Sequence, residues 1–90
     1  MGRPQFSEDA WEEYVSWGNE DRKVVKKINS LIKDIMRNGA MDGIGEPEAL
    51  KENYSGFYSR MINKKDRLVY RIIDDDIIEI VKCKGHYHDK

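Results

Sequence analysis

The tightest constraint on this chain is the spacing of three apolar runs in its C-terminal part. Residues 56–62, 67–73 and 77–83 are rich in Ile, Val, Tyr and Phe, and only Asn63-Lys64-Lys65-Asp66 and Asp74-Asp75-Asp76 separate them. Such residues suit a pleated, half-buried surface, and connections this short force neighbouring strands into an antiparallel meander. Closing the first hairpin symmetrically on residues 63–66 pairs Ile62 with Arg67, Arg60 with Val69 and Tyr58 with Arg71. Arg60, Arg67 and Arg71 then share one face, while Phe57, Leu68, Tyr70 and Ile72 form the apolar other. A two-residue and a three-residue closure at 74–76 place opposite halves of the third strand on the arginine face, and the sequence leaves that choice open.

The apolar face needs a cover, and the N-terminal half supplies one. Ser7 is a natural N-cap, followed by Glu8, Asp9, Glu12 and Glu13 where the helix dipole favours negative charge. Trp11, Tyr14 and Val15 make a stripe, and Gly18 supplies a stop. Asn19 then caps a second helix in which Val24, Val25, Ile28, Leu31, Ile32, Ile35 and Met36 fall on one face, with Gly39 ending it. The pair forms an αα-hairpin turning at Gly18-Asn19. Its outward Lys23, Lys26, Lys27 and Lys33 read as a solvated surface. Residues 40–47 read as a loop leading into Glu48-Ala49-Leu50, and Gln5-Phe6 can add a strand that Pro4 restricts to an edge. The expected fold class is α+β, an antiparallel sheet packed against an N-terminal two-helix hairpin, with residues 1–90 as a single domain. A chain of 10.6 kDa buries roughly 64% of its unfolded surface, enough for one core. No membrane contact is expected, because no run approaches the ~18 apolar residues of a span. Nor does the N-terminus hold an apolar segment suited to a signal peptide, so a cytoplasmic setting is expected. Cys83, the single cysteine, has no internal partner and is expected to pack at the end of the third strand without chemistry.

A formal net charge of −1 argues at first against a nucleic-acid partner. The charges, however, are segregated. Residues 8–21 carry six acids and no Lys or Arg, residues 22–37 six bases against the single acid Asp34, and residues 51–71 six bases against two acids. A neutral total thus hides a basic face, with the acids expected in the first helix and the 74–76 turn, away from it. Arg60, Arg67 and Arg71, flanked by Lys51 and by Tyr54, Tyr58 and Tyr87, suit phosphate contacts and base stacking. A plain solvated sheet face fits them equally well. His86 and His88, the only imidazoles, follow the last strand and can exchange protons near neutral pH; a frayed end is the bland alternative. Glu48, held behind Pro47, is either a restrained carboxylate or an ordinary exposed one. Together these groups match the needs of RNA cleavage without a metal or other cofactor: a base for the 2′-hydroxyl, a cation for the charged phosphorane and an acid for the 5′-oxygen.

The sequence resembles the YoeB (Txe) toxins of bacterial toxin–antitoxin systems, within the RelE-like group, from about Phe6 to Tyr87. The resemblance is carried by Phe6-Ser7-Glu8 with Ala10-Trp11 and Tyr14, Lys26-Lys27-Ile28-Asn29 with Leu31-Ile32-Lys33-Asp34, and Gly45 with Pro47-Glu48 and Leu50-Lys51. It continues in Ser55-Gly56-Phe57, Ser59-Arg60, Arg67-Leu68-Val69-Tyr70 and His86-Tyr87. It implies a microbial-RNase-like fold, ribosome-dependent cleavage of mRNA that inhibits translation, and neutralisation by a cognate YefM-like antitoxin; a homodimer is a further expectation. By position it implies Glu48 as general base, His86 as general acid and Arg67 as the phosphate-stabilising cation. It also implies Tyr87 orienting the RNA, with Lys51 and Arg60 as secondary phosphate contacts; Arg71 joins them from the sheet-face reading. Glu46 and Met61 stand where the family often has basic residues, and three residues follow Tyr87. The competing hypothesis is a non-catalytic RelE- or ParE-like toxin, or an attenuated homologue, that acts by binding a partner.

Overall fold

In the computed structural model, which describes residues 2–74 and 76–85, strand β1 (Arg3–Phe6) precedes helices α1 (Glu8–Glu20) and α2 (Arg22–Asn38). Strand β2 (Glu48–Ala49), a single 3-10 turn (Glu52–Tyr54), β3 (Tyr58–Met61), β4 (Arg67–Ile73) and β5 (Ile77–Lys82) follow. Ser7 caps α1 as expected, its hydroxyl oxygen accepting from the Ala10 N–H at 3.2 Å. The turn between the helices is not at Gly18-Asn19. Both residues are helical, and Asp21 alone makes the junction: its N–H donates to the Trp17 carbonyl at 2.7 Å and its carboxylate accepts from the Lys23 N–H at 3.0 Å. One extended residue thus ends α1 and caps α2, so neither glycine nor asparagine is needed to turn the chain.

The sheet order is β1-β5-β4-β3-β2. The meander is as expected and β2 joins it antiparallel, but β1 runs parallel to β5, so the sheet is mixed. Two helices separate β1 from the meander, and no short turn obliges it to run against its neighbour. Among the described residues, no helix is long and apolar enough to cross a membrane.

The first hairpin differs from the symmetric closure by one residue. Asn63 folds its side chain back to accept from the N–H groups of Lys65 and Asp66 at 2.8 and 2.7 Å. The Ile62 N–H donates to the Asp66 carbonyl at 3.0 Å. The loop therefore closes on three residues rather than four, and Tyr58 pairs with Tyr70, Arg60 with Leu68 and Met61 with Arg67. A one-residue slip exchanges faces: Arg60 and Tyr58 move to the helix side, and Phe57 moves to the open side with Arg71. The second closure is the three-residue one, pairing Ile73 with Ile77 and Arg71 with Glu79.

The core joins Ile28, Leu31, Ile32 and Ile35 of α2 to Leu68 and Tyr70 of β4 and Ile78 and Ile80 of β5. From α1 it receives Ala10 and Trp17, and of the expected stripe only Tyr14 packs against it: Trp11 and Val15 are exposed, and Trp11 stacks on Tyr14 beside Phe6. The α1 face is set by Cys83, which is fully buried. Its carbonyl accepts from Trp17 Nε1 at 2.8 Å and its N–H donates to Glu13 Oε1 at 2.7 Å. Burial, with the Glu13 carboxylate beside it, pushes the Cys83 thiol up to about 12, which leaves it protonated and unreactive at neutral pH.

Candidate functional site

The open face of the sheet is built by register. Glu48 pairs with Ser59, Ser59 with Val69, and Val69 with Lys82, so these four form a row across β2, β3, β4 and β5. Residues paired directly across antiparallel strands point to the same side. Glu48 is exposed at one end of the row, and Arg67 stands two residues from Val69 on that face. Two strand spacings separate Glu48 from the β4 position, roughly 10 Å. Glu48 and Arg67 thus belong to the same face, offset diagonally by two residues, with Ser59 and Val69 buried between them.

Arg67 is steered by the β3–β4 turn. Its Nη1 donates to the carbonyls of Asn63, Asp66 and Lys64 at 3.0, 3.3 and 3.4 Å, and among the described residues these are its side-chain acceptors. Its backbone also anchors the segment that follows β5. The Arg67 N–H donates to the Gly85 carbonyl at 3.1 Å, and the Gly85 N–H donates to the buried Asp66 carboxylate at 2.6 Å. Asp66 is a residue that sequence reasoning passed over; its only signal is its place in a turn behind an Asx-forming Asn63. His86 and Tyr87 lie outside the described residues.

On the far side of the row, Arg71 is half-exposed. Its Nε bonds Glu79 at 2.6 Å and its guanidinium carbon lies 5.1 Å from the centre of the Phe57 ring, which itself meets Tyr54 edge-on. Lys51 is exposed at the start of the segment that Leu50 N–H to Phe57 O closes at 2.9 Å. Tyr54, Phe57, Asn53, Val81 and Lys82 line a hollow of about 400 Å³ together with Asp9 and Glu13. The acids of the first helix therefore border this face rather than lying away from it, and Glu79 lies on it. Tyr58, by contrast, is not on the face at all; it stacks on Tyr70 at 5.8 Å on the core side.

Arg60 requires the largest correction. It is not a surface phosphate contact, because it is fully buried and its guanidinium is engaged at five acceptor contacts. Nε donates to the Tyr70 hydroxyl at 2.9 Å; Nη1 donates to Asp34 Oδ2 at 2.6 Å and the Ile44 carbonyl at 3.0 Å; Nη2 donates to the Gly39 and Asp42 carbonyls at 2.9 and 2.8 Å. The register shift put it there. Its neighbour Tyr70, whose hydroxyl proton goes to the Ala40 carbonyl at 2.6 Å, has its phenol pushed up by burial and stays neutral.

A family model described as the YoeB-like toxin of bacterial type II toxin–antitoxin systems matches residues 6–87. Toxin YoeB of Escherichia coli is 48% identical over 82 residues, covering 91% of this chain and 95% of that protein. Toxin YoeB of Streptomyces coelicolor is 47% identical over 85 residues, with 94% and 99% coverage. Among solved structures, the YoeB dimer of Staphylococcus aureus superposes with a TM-score of 0.89 at 52% identity, covering 96% of this chain and 98% of that one. The YoeB chain of the heterotetrameric YoeB–YefM complex from Staphylococcus aureus gives 0.88 at 50% identity, with 97% and 99% coverage. YafQ from Escherichia coli shares only the fold, with a TM-score of 0.73 at 13% identity.

Proposed function

The chain belongs to the YoeB-like toxins of bacterial type II toxin–antitoxin systems, and on that premise we propose that it is an endoribonuclease that cleaves mRNA on the ribosome and so arrests translation. The observation that carries the reading is the open face itself: Glu48 and Arg67 stand on one side of the sheet, and Gly85, which precedes His86 in the chain, is bonded to the Arg67 backbone. RNA brings its own nucleophile. Glu48 takes the proton of the 2′-hydroxyl, whose oxygen attacks the adjacent phosphorus. The bond to the 5′-oxygen breaks, His86 gives that oxygen a proton, and the products are a 2′,3′-cyclic phosphate and a 5′-hydroxyl end. Arg67 offsets the charge that builds on the phosphorane. Tyr87 orients the RNA, and Lys51 and Arg71 contact flanking phosphates.

The relatives point to the partners. Since YoeB of Staphylococcus aureus occurs as a dimer and in a heterotetramer with YefM, we assign this chain a YefM-like antitoxin and a homodimeric form. An acidic antitoxin segment that orders on binding would cover Lys51, Arg67 and Arg71.

Primer extension on translated mRNA tests the reading. Wild-type protein is expected to create new 3′ ends within A-site codons, with or without a metal chelator, and Glu48→Gln, Arg67→Ala or His86→Ala to reduce cleavage by about a hundredfold or more. Arrest with intact mRNA would instead mean a toxin that acts by binding.

A further inference from the structure

The single acid of the basic stretch, Asp34, and the buried Arg60 meet at the segment that delivers Glu48. Residues 39–47 contain no helix or strand, so their backbone groups have no ladder of their own. The ion pair substitutes for one. Arg60 takes the carbonyls of Gly39, Asp42 and Ile44, and Asp34 Oδ2 accepts both from Arg60 Nη1 at 2.6 Å and from the Ile44 N–H at 3.0 Å. Asn38 Nδ2 holds the other carboxylate oxygen at 2.8 Å. Gly43 lies so close that a Cβ there would run into the Asp34 carboxylate.

Two residues further, the chain turns sharply. The Met61 N–H donates to the Gly45 carbonyl at 2.7 Å, and Gly45 and Glu46 are both left-handed, at φ 84° and 52°. Pro47 and Glu48 follow at once. A left-handed Glu is strained and persists only where its surroundings hold it. Strand β2 is two residues long and cannot secure its own register. Glu48 is thus held from one side by the clamped loop and from the other by the Leu50 to Phe57 bond.

We propose that the Asp34–Arg60 pair is the positioning device of the cleavage site: by holding residues 39–45 it sets Glu48 against Ser59 and so fixes its place relative to Arg67. This rests on the ribonuclease reading. Neither residue touches RNA; both act through Glu48, and a misplacement near 1 Å at a reacting group is enough to cost about a hundredfold in rate.

The test uses full-length Asp34→Asn, Arg60→Lys and Gly43→Ala proteins, each alone and combined with Glu48→Gln. Single-turnover mRNA cleavage is measured at saturating ribosomes, alongside ribosome affinity and hydrogen exchange. Asp34→Asn and Arg60→Lys are expected to slow cleavage about tenfold or more while ribosome affinity stays within about twofold. Exchange of residues 46–50 is expected to rise about tenfold with α2 and β4 unchanged. In the Glu48→Gln background they are expected to cost nothing further, because the residue they position has lost its function. Folded variants that cleave at the wild-type rate, or losses that multiply with Glu48→Gln, overturn the proposal. Should Arg60→Lys fail to fold, Asp34→Asn, which keeps the side-chain shape and an acceptor oxygen, and Gly43→Ala carry the test. A wild-type protein that leaves translated mRNA intact overturns the ribonuclease reading instead, and the exchange comparison still decides whether the pair holds Glu48.

Discussion

Three arginines that look alike in the sequence meet three different fates. Arg60 is enclosed by five acceptor contacts, Arg67 leans one nitrogen on turn carbonyls, and Arg71 shares its charge with Glu79 over the Phe57 ring. A buried guanidinium is tolerated only where its donors are matched and a counter-charge is present, and Asp34 meets the second need with a side chain 13% exposed. The Arg60 hydrogen bond holds the Asp34 carboxyl below the 3.8 usual for Asp. A depressed folded value contributes stability that is complete above about 3.8 and is lost as pH falls through the folded value. Urea midpoints measured from about pH 5 down to pH 2.5 are therefore expected to fall more steeply for wild type than for Asp34→Asn at the acid end. Parallel curves would remove the pair from the acid response.

At the scale of elements, the periodic parts were legible and the joints were not. The α2 stripe appears as read, with Val24, Ile28, Leu31, Ile32 and Ile35 buried, because seven apolar residues at helical spacing leave one way to bury them. The α1–α2 junction was misplaced because glycine signals a stop only when its conformational freedom is used. Gly18 is an ordinary helical residue with nothing within 4 Å of a Cβ built there. Gly18→Ala is therefore expected to raise stability by about 0.5–1 kcal/mol, read as a higher denaturation midpoint. An unchanged or lower midpoint would mean that Gly18 serves the fold in a way its surroundings do not reveal. The α1 stripe, of which Tyr14 packs against the core, failed at Trp11 and Val15 for a different reason. Trp11 and Val15 are as apolar as Trp17, but only Trp17 finds a buried carbonyl for its indole N–H.

For the whole molecule, a net charge of −1 coexists with cations on one sheet face: Arg67, Arg71 and Lys82. Acids border that face through Asp9, Glu13 and Glu79, so its attraction for phosphate is short-ranged and easily screened. Ribosome affinity is expected to fall as salt rises from about 50 to 200 mM, and Arg71→Ala to lower the slope of log affinity against log salt by about 1. A salt-independent affinity would assign the face a role other than phosphate contact.

By itself the sequence determined the two helices, the edge strand before them, the three-stranded meander after them, the family, and the residue types proposed for acid–base chemistry on RNA, but not the short strand β2. Those follow from local periodicity, from connections too short for any other topology, and from ordered motifs. Only the tertiary structure decided which side of the sheet each residue joins. That choice turned on one residue of register, set by the Asn63 side chain folding over its own turn. An alternation of period two cannot report its own phase. So Arg60, expected on the open face, became the internal clamp, while Glu48 and Arg67 share the other face, two residues apart in register.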